Sequence, residues 1–248
     1  MRRCREVASR RTGDDQVLLD GDHLLRDALD AGVTIDAVVT DGRAPSAIVH
    51  AAAAAGAAIY HATAPVMSAI SPVTTPSGVV AIGRWRPAPL ADLFAAAGLV
   101  IGLVDVQDPG NVGAVVRAAD AFGSAGVAAL GQSADPAGWK ALRGAMGSAF
   151  RVVVARGEVD EAFAAARRGG VAIAATVAAG GSPIDTVDLA RPLLVLLGHE
   201  GAGLDAATTA RADERWTIPM SAGVNSLNVA VAAGLIAYLA RPPQEHAP

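Results

Sequence analysis

Three short stretches of this chain set amide, carboxylate, hydroxyl and guanidinium groups among glycines. That mixture fits a place where backbone approaches a polar ligand closely. In DVQDPGNVGAVVRAADAFG (105–123) the Asp-Pro-Gly step makes a turn, and Asn111 stands where a helix N-cap belongs. Arg117 falls within the apolar run AVVRAADAF, on the second turn of that helix. An arginine there either snorkels to water or faces a pocket. In LLVLLGHEGAGL (193–204) a buried-strand pattern ends in Gly198, then His199, Glu200, Gly201 and Gly203. The order G-x-x-G-x-G is not the dinucleotide fingerprint, and Glu200 would repel a pyrophosphate. A carboxylate among glycines suits hydroxyl groups, an ammonium or an arginine. Its structural alternative is an acid opening the next helix, although a run of glycines is costly to order. His199 has no second histidine at metal-ligand spacing and reads as a neighbour rather than a ligand or base. In IPMSAGVNSLNVAVAAGLIAYLA (218–240) Ser226 suits an N-cap and Asn228 a first helical turn; capping alone accounts for both.

Each stretch must be held by a strand before it and a helix after it. From residue 99 onward, short apolar strand-like runs (99–105, 126–130, 150–154, 171–176, 193–198, 215–219) alternate with helical periods, among them a helix around 137–146. Continuous apolar strands alternating with helices predict a parallel sheet covered on both faces, with ligands at the carboxyl ends of its strands. Residues 17–83 read as a smaller α/β unit: strands at 17–21, 35–40, 57–61 and 78–83, with a helix ending at Gly32 and an Ala-rich one around 46–55. RWRPAPLAD (84–92) breaks the pattern and marks a linker or boundary. The expected organisation is therefore an N-terminal domain over 1–85, a linker over 86–97, a second domain over 98–242 and a tail over 243–248.

Composition narrows the class. With 248 residues, 52% hydrophobic and 18% charged, the chain is a folded protein able to bury a core. One cysteine, Cys4, excludes an internal disulfide framework and a cysteine-built zinc site, and no metal is expected. No apolar run is long enough to span a membrane and the N-terminus has no apolar signal region, so a cytoplasmic protein is expected. Net charge is −4, yet Arg2, Arg3, Arg5, Arg10 and Arg11 stand against Glu6 alone in residues 1–13, and Lys140, Arg143 and Arg151 lie mid-chain. These groups are either solvated surface or contacts to an anionic partner.

Taken together, NVGAVVRAADAFG, LLGHEGAGL and IPMSAGVNSLNVAVAAG resemble the three motifs of the SpoU (TrmH-like) branch of the SPOUT RNA methyltransferases, over roughly residues 98–240. LLDGDHLLRDAL and TTPSGVVAI resemble the L30e-like substrate-binding domain that often precedes it. The resemblance implies an α/β fold whose C-terminal parallel-sheet domain carries a trefoil knot, preceded by a small α/β L30e-like domain. It implies transfer of a methyl group from S-adenosylmethionine to a ribose 2′-hydroxyl of ribosomal or transfer RNA, with ribosomal RNA the favoured partner, by a homodimer joined through the knotted domain. By the same resemblance Gly198, Gly201, Ile218, Met220 and Leu227 meet the cofactor. Arg117 is the family's proposed base, though a guanidinium suits orienting a phosphate better. Asn111, Glu200, Ser226 and Asn228 form a polar wall around it, with Glu200 available to pair with Arg117. Arg143, Arg10 and Arg11 are the expected RNA contacts. One departure stands out: the family's Arg-Ala-Ser-x-Gly loop appears here as Arg143-Gly-Ala-Met-Gly147, with Ala145 in place of serine. Two other classes remain to be separated. A silent RNA-binding protein would keep the fold without binding the cofactor. A nicotinamide-dependent oxidoreductase would need a G-x-G-x-x-G loop that the first strand lacks.

Overall fold

The computed structural model describes residues 2–9 and 15–242. Arg10, Arg11 and the expected tail 243–248 lie outside the described residues.

The N-terminal unit is built on strands β1 (Gln16–Asp20), β2 (Thr34–Thr40), β3 (Ala58–His61) and β4 (Val79–Arg84), in the order β1-β4-β2-β3. Alternate residues of each strand serve opposite faces. Val17, Leu19, Val79 and Ala81 pack with Leu24, Leu25 and Ala28 of α2 (Asp22–Asp30) and Ile48 and Ala52 of α3 (Ser46–Ala54). Leu18, Val80 and Ile82 pack instead with Met67 and Ile70 of α4 (Ala64–Ile70) and with Cys4 and Val7 of α1 (Arg2–Ser9). The basic N-terminal segment is thus partly a helix rather than only a tail. Cys4 and Val7 anchor it, Arg3 bonds Asp36 at 3.0 Å and Arg5 bonds the Ala69 carbonyl at 2.9 Å.

The second unit contains β5 (Leu99–Val104), α5 (Pro109–Ala121), β6 (Gly126–Leu130), α6 (Trp139–Ala145), β7 (Val153–Gly157), α7 (Val159–Arg168), β8 (Ala172–Thr176), β9 (Ser182–Pro183), β10 (Leu193–Leu197), α8 (Ala206–Arg211), β11 (Glu214–Thr217) and α9 (Val229–Leu239). Its seven strands run in the order β7-β6-β5-β10-β8-β11-β9, every pair parallel. All residues of β5, β6 and β10 are buried, as their unbroken apolar runs require. β7 begins three residues later than the apolar run FRVVV indicates. Ser148–Phe150 forms a 3-10 turn, which sets Phe150 edge-on to Trp85 with ring centroids 5.7 Å apart.

The order of strands positions the chemistry. The chain leaves β5 for β6 and β7 on one side, then fills the other side with β8 before laying β10 between β5 and β8. The carboxyl ends of β5 and β10 are therefore neighbours, so their following loops meet at the switch point of the sheet. β8 and β11 continue the same edge.

The two units are packed together. Trp139 lies against the Leu18–Met67 cluster, and Arg151 reaches Asp27 at 3.9 Å. In the expected linker, Ala88 bridges Ala155 at the sheet edge and Leu90 and Leu93 are buried. Among the described residues no helix is long and apolar enough to cross a membrane.

Candidate active site

Two of the expected caps change places. Asp108, not Asn111, caps α5: its carboxylate accepts from Gly110 N at 2.7 Å, with Pro109 at the first helical position. Asn228, not Ser226, caps α9, its Oδ1 accepting from Ala230 N at 2.9 Å and Val231 N at 3.3 Å. Asp, Asn and Ser are nearly equal as caps, so residue type alone does not choose among them. The helix start at Val229, which is buried, does.

This capping orients a chain of hydrogen bonds across all three loops. Because the Asn228 Oδ1 is taken by helix amides, its Nδ2 donates, to Asn111 Oδ1 at 3.1 Å. The Asn111 Nδ2 then donates to Glu200 Oε1 at 2.7 Å, a short bond assisted by the carboxylate charge. The amide orientations follow from the cap, and every link has one direction. Glu200 is half-buried, and its Oε2 has no partner among the described residues.

Arg117 is exposed and forms no hydrogen bond or ion pair among the described residues. The expected pair with Glu200 is not formed; the carboxylate is bonded to Asn111 instead. Arg117 lies one turn beyond Gly113, on the face of α5 that meets the end of α6. Arg143, also exposed, stands on the last turn of α6. Next to it Ala145 is 1% exposed, so a serine hydroxyl at that position would be buried rather than offered to a substrate. Met146 and Gly147 then turn left-handed (φ 48° and 79°), and a Cβ on Gly147 would come 2.1 Å from an Asp27 carboxylate oxygen. Behind this loop Asp20 is held by Ser71 Oγ at 2.5 Å. Burial raises the Asp20 carboxyl pKa above its usual range, and the Ser71 bond and the Arg143 charge pull it back down.

Beside the hydrogen-bond chain, the loops after β8, β10 and β11 enclose a cleft of about 310 Å³. Gly198, Gly201, Ile218, Met220 and Leu227 all line it, as do Glu200 and Ser226. Asn111, Arg117 and Asn228 do not. Sequence reasoning missed Thr176, Val177 and Ala178 at the end of β8, although the following glycines mark a strand-end loop, and it set His199 aside. The backbone folds so tightly here that a Cβ on Gly198 would lie 2.2 Å from the Gly203 carbonyl carbon; only glycine fits. Leu197, Ile218, Leu227 and Val229 give apolar wall, and no lysine or arginine lines the cleft. A largely apolar body carrying positive charge suits this lining, with Glu200 the adjacent anion. Among the described residues no group of three or more His, Cys, Asp or Glu side chains is placed to hold a metal ion.

The fold and this arrangement of loops define a family. Residues 98–238 match the SpoU rRNA Methylase family, and residues 4–81 match the MRM3-like substrate binding domain. The chain belongs to the SpoU family. It is 32% identical to the 23S rRNA (guanosine(2553)-2'-O)-methyltransferase RlmP of Bacillus subtilis, over 92% of this chain and 89% of that protein. An AdoMet-bound rRNA methyltransferase from Sinorhizobium meliloti superposes with a TM-score of 0.83 at 31% identity, covering 91% of this chain and 87% of the other. The SpoU methyltransferase AviRb from Streptomyces viridochromogenes superposes with a TM-score of 0.85 at 25% identity, covering 97% and 96%.

Proposed function

We propose that this chain is an S-adenosylmethionine-dependent RNA methyltransferase that modifies a ribose 2′-hydroxyl of ribosomal RNA. The observation that carries the reading is the convergence of its three motif loops: Asn228, Asn111 and Glu200 form one directed hydrogen-bond chain beside a cleft without cationic side chains. Membership of the SpoU family and the names of its relatives point to the same activity and to ribosomal RNA.

S-adenosylmethionine supplies a methyl group activated on a sulfonium, which a hydroxyl oxygen takes by in-line displacement. Gly198, Gly201, Ile218, Met220 and Leu227 would hold the cofactor, the glycines by backbone approach and the others by apolar contact. Glu200, fixed on one oxygen by Asn111, keeps Oε2 to accept a hydrogen bond from a bound hydroxyl or to draw in a guanidinium. Arg117, exposed and unpaired among the described residues, is free to clamp an RNA phosphate. A guanidinium with a pKa above about 12 serves better as a clamp than as a base. Arg143 extends the same cationic track from α6, and Ser226 adds a hydroxyl at the cleft wall.

Three further features belong to this reading. The loops after β10 and β11 form the trefoil knot of the family, a rare exception to unthreaded connections; the late insertion of β10 between β5 and β8 supports it. Two copies pair through α9, and the enzyme works in the cytoplasm.

Arg117→Ala is the direct test. The variant is expected to fold as the wild type and bind S-adenosylmethionine with similar affinity, because Arg117 is exposed and lies outside the cleft. Methylation of ribosomal RNA should fall by at least about 100-fold. Substantial residual turnover would remove Arg117 from the mechanism. Calorimetry with S-adenosylmethionine on the wild type also separates the enzyme from a silent RNA-binding protein, and mapping 2′-O-methylation after gene deletion identifies the target.

A further inference from the structure

The loop after β10 turns back on itself between His199 and Gly203. Its ends are joined by the bond from Gly203 N to His199 O at 2.8 Å, and Gly203 takes φ +68°. Inside the turn the His199 imidazole uses Nδ1 as an acceptor for two backbone amides, Gly201 N at 3.0 Å and Ala202 N at 3.3 Å. A ring nitrogen that accepts carries no proton, so the ring's hydrogen sits on Nε2. Peptide planarity fixes the rest. The carbonyl of each peptide points opposite to its N–H, so the Glu200 and Gly201 carbonyls are turned away from the imidazole. Neither carbonyl accepts a bond from any donor among the described residues.

We infer that His199 is a positioning residue of the cofactor site. Its ring takes up the Gly201 and Ala202 amides and leaves the Glu200 and Gly201 carbonyls free, so the turn presents two unoccupied acceptors. Every residue from His199 to Gly203 lines the cleft, which makes the polarity of the turn part of the binding surface. A ligand with a positive charge and N–H groups fits such a wall, and S-adenosylmethionine carries a sulfonium, an ammonium and an exocyclic amine. This rests on the methyltransferase reading above. In the role inferred, the imidazole acts through the backbone and needs no contact with the ligand. An asparagine at position 199 can therefore replace it, since its side-chain oxygen accepts from amides two and three residues on, as in an Asx turn. Alanine has no acceptor and cannot.

Two measurements on the full chain test this. Amide hydrogen exchange at Gly201 and Ala202, read without ligand, should show protection in the wild type and H199N and its loss in H199A. Calorimetry with S-adenosylmethionine should give wild-type-like affinity for H199N and about tenfold weaker binding for H199A. Turnover at saturating cofactor should change little in H199A, so the loss appears in KM rather than kcat. Wild-type affinity in H199A would overturn the inference. So would equal weakness in both variants, which would mean that the ring itself touches the ligand. A wild type that binds no S-adenosylmethionine would instead sink the methyltransferase reading, and the cofactor role of His199 with it. The exchange arm still reports separately whether His199 holds the turn.

Discussion

At the scale of single residues, Asn111 is the link that makes one site of three loops. Both ends of its amide are used, one accepting from Asn228 and the other donating to Glu200. Asn111→Ala leaves the Glu200 carboxylate unheld and the Asn228 amide without its acceptor. A hydrogen bond to a charged group contributes about 1.5–3 kcal/mol, so kcat/KM for methylation should fall roughly 10- to 100-fold. Cofactor affinity should change far less, because Asn111 is not part of the cleft wall. Single-turnover methylation beside calorimetry separates the two effects. An equal fall in both would place Asn111 in cofactor binding instead. The sequence made the candidates for this site legible and their wiring illegible. Asn111, Glu200, Ser226 and Asn228 were recognisable from residue type and motif. Which of them caps a helix depends on where Val229 enters the core, and which partner Glu200 takes depends on β10 lying beside β5. Both are facts of packing.

At the scale of elements, the site depends on how closely α5 approaches α6. Gly113 is the point of contact: a Cβ there would lie 2.3 Å from the Ala141 carbonyl oxygen and 2.9 Å from Ala145 N. Backbone on both sides leaves little to yield, so Gly113→Ala should push the helices apart and cost about 1–3 kcal/mol of stability. Gly234 of α9 is the internal comparison. Its added Cβ would find only Ala118 Cβ, at 4.0 Å, so Gly234→Ala should be neutral or stabilising by up to about 1 kcal/mol. Thermal unfolding of the two variants checks the pair, and similar melting temperatures would refute the close-contact argument. Elements with a strong period were legible in the sequence. The buried runs of β5, β6 and β10 announce a parallel sheet. Shorter or mixed elements were not. α1 carries its apolar contacts on Cys4 and Val7 among arginines, α4 spans only Ala64–Ile70, and the start of β7 is set by the 3-10 turn that places Phe150 edge-on to Trp85.

At the scale of the whole molecule, α9 leaves an apolar surface exposed. α9 packs inward through Val229, Ala233, Ile236 and Ala237 and meets α5, and at the rim of that contact Phe122 and the half-exposed Tyr238 stand edge to face 5.5 Å apart. Its other side presents Val231, Leu235, Tyr238 and Leu239, between 42% and 52% exposed. Leu235 lies four residues after Val231, and Tyr238 and Leu239 lie three and four residues after Leu235, which makes a single stripe. A stripe of that kind suits the pairing surface proposed above, and its place beside the Asn228 cap would tie that pairing to the site. Leu235→Lys puts a charge at the middle of the stripe. Lysine is a good helix former and the inward face is untouched, so α9 should stay docked on α5 with its cap intact. The pairing proposed here predicts that the wild type elutes at twice the single-chain mass and that L235K elutes as a single chain with unchanged far-ultraviolet circular dichroism. A wild type that is already monomeric at micromolar concentration, or an L235K that remains dimeric, would reject α9 as the pairing surface. If L235K is monomeric and folded, its methylation rate shows whether the site is complete within one chain. Retained activity would confine the role of the dimer to assembly, while loss would mean that the partner helix steadies the Asn228 end of the hydrogen-bond chain.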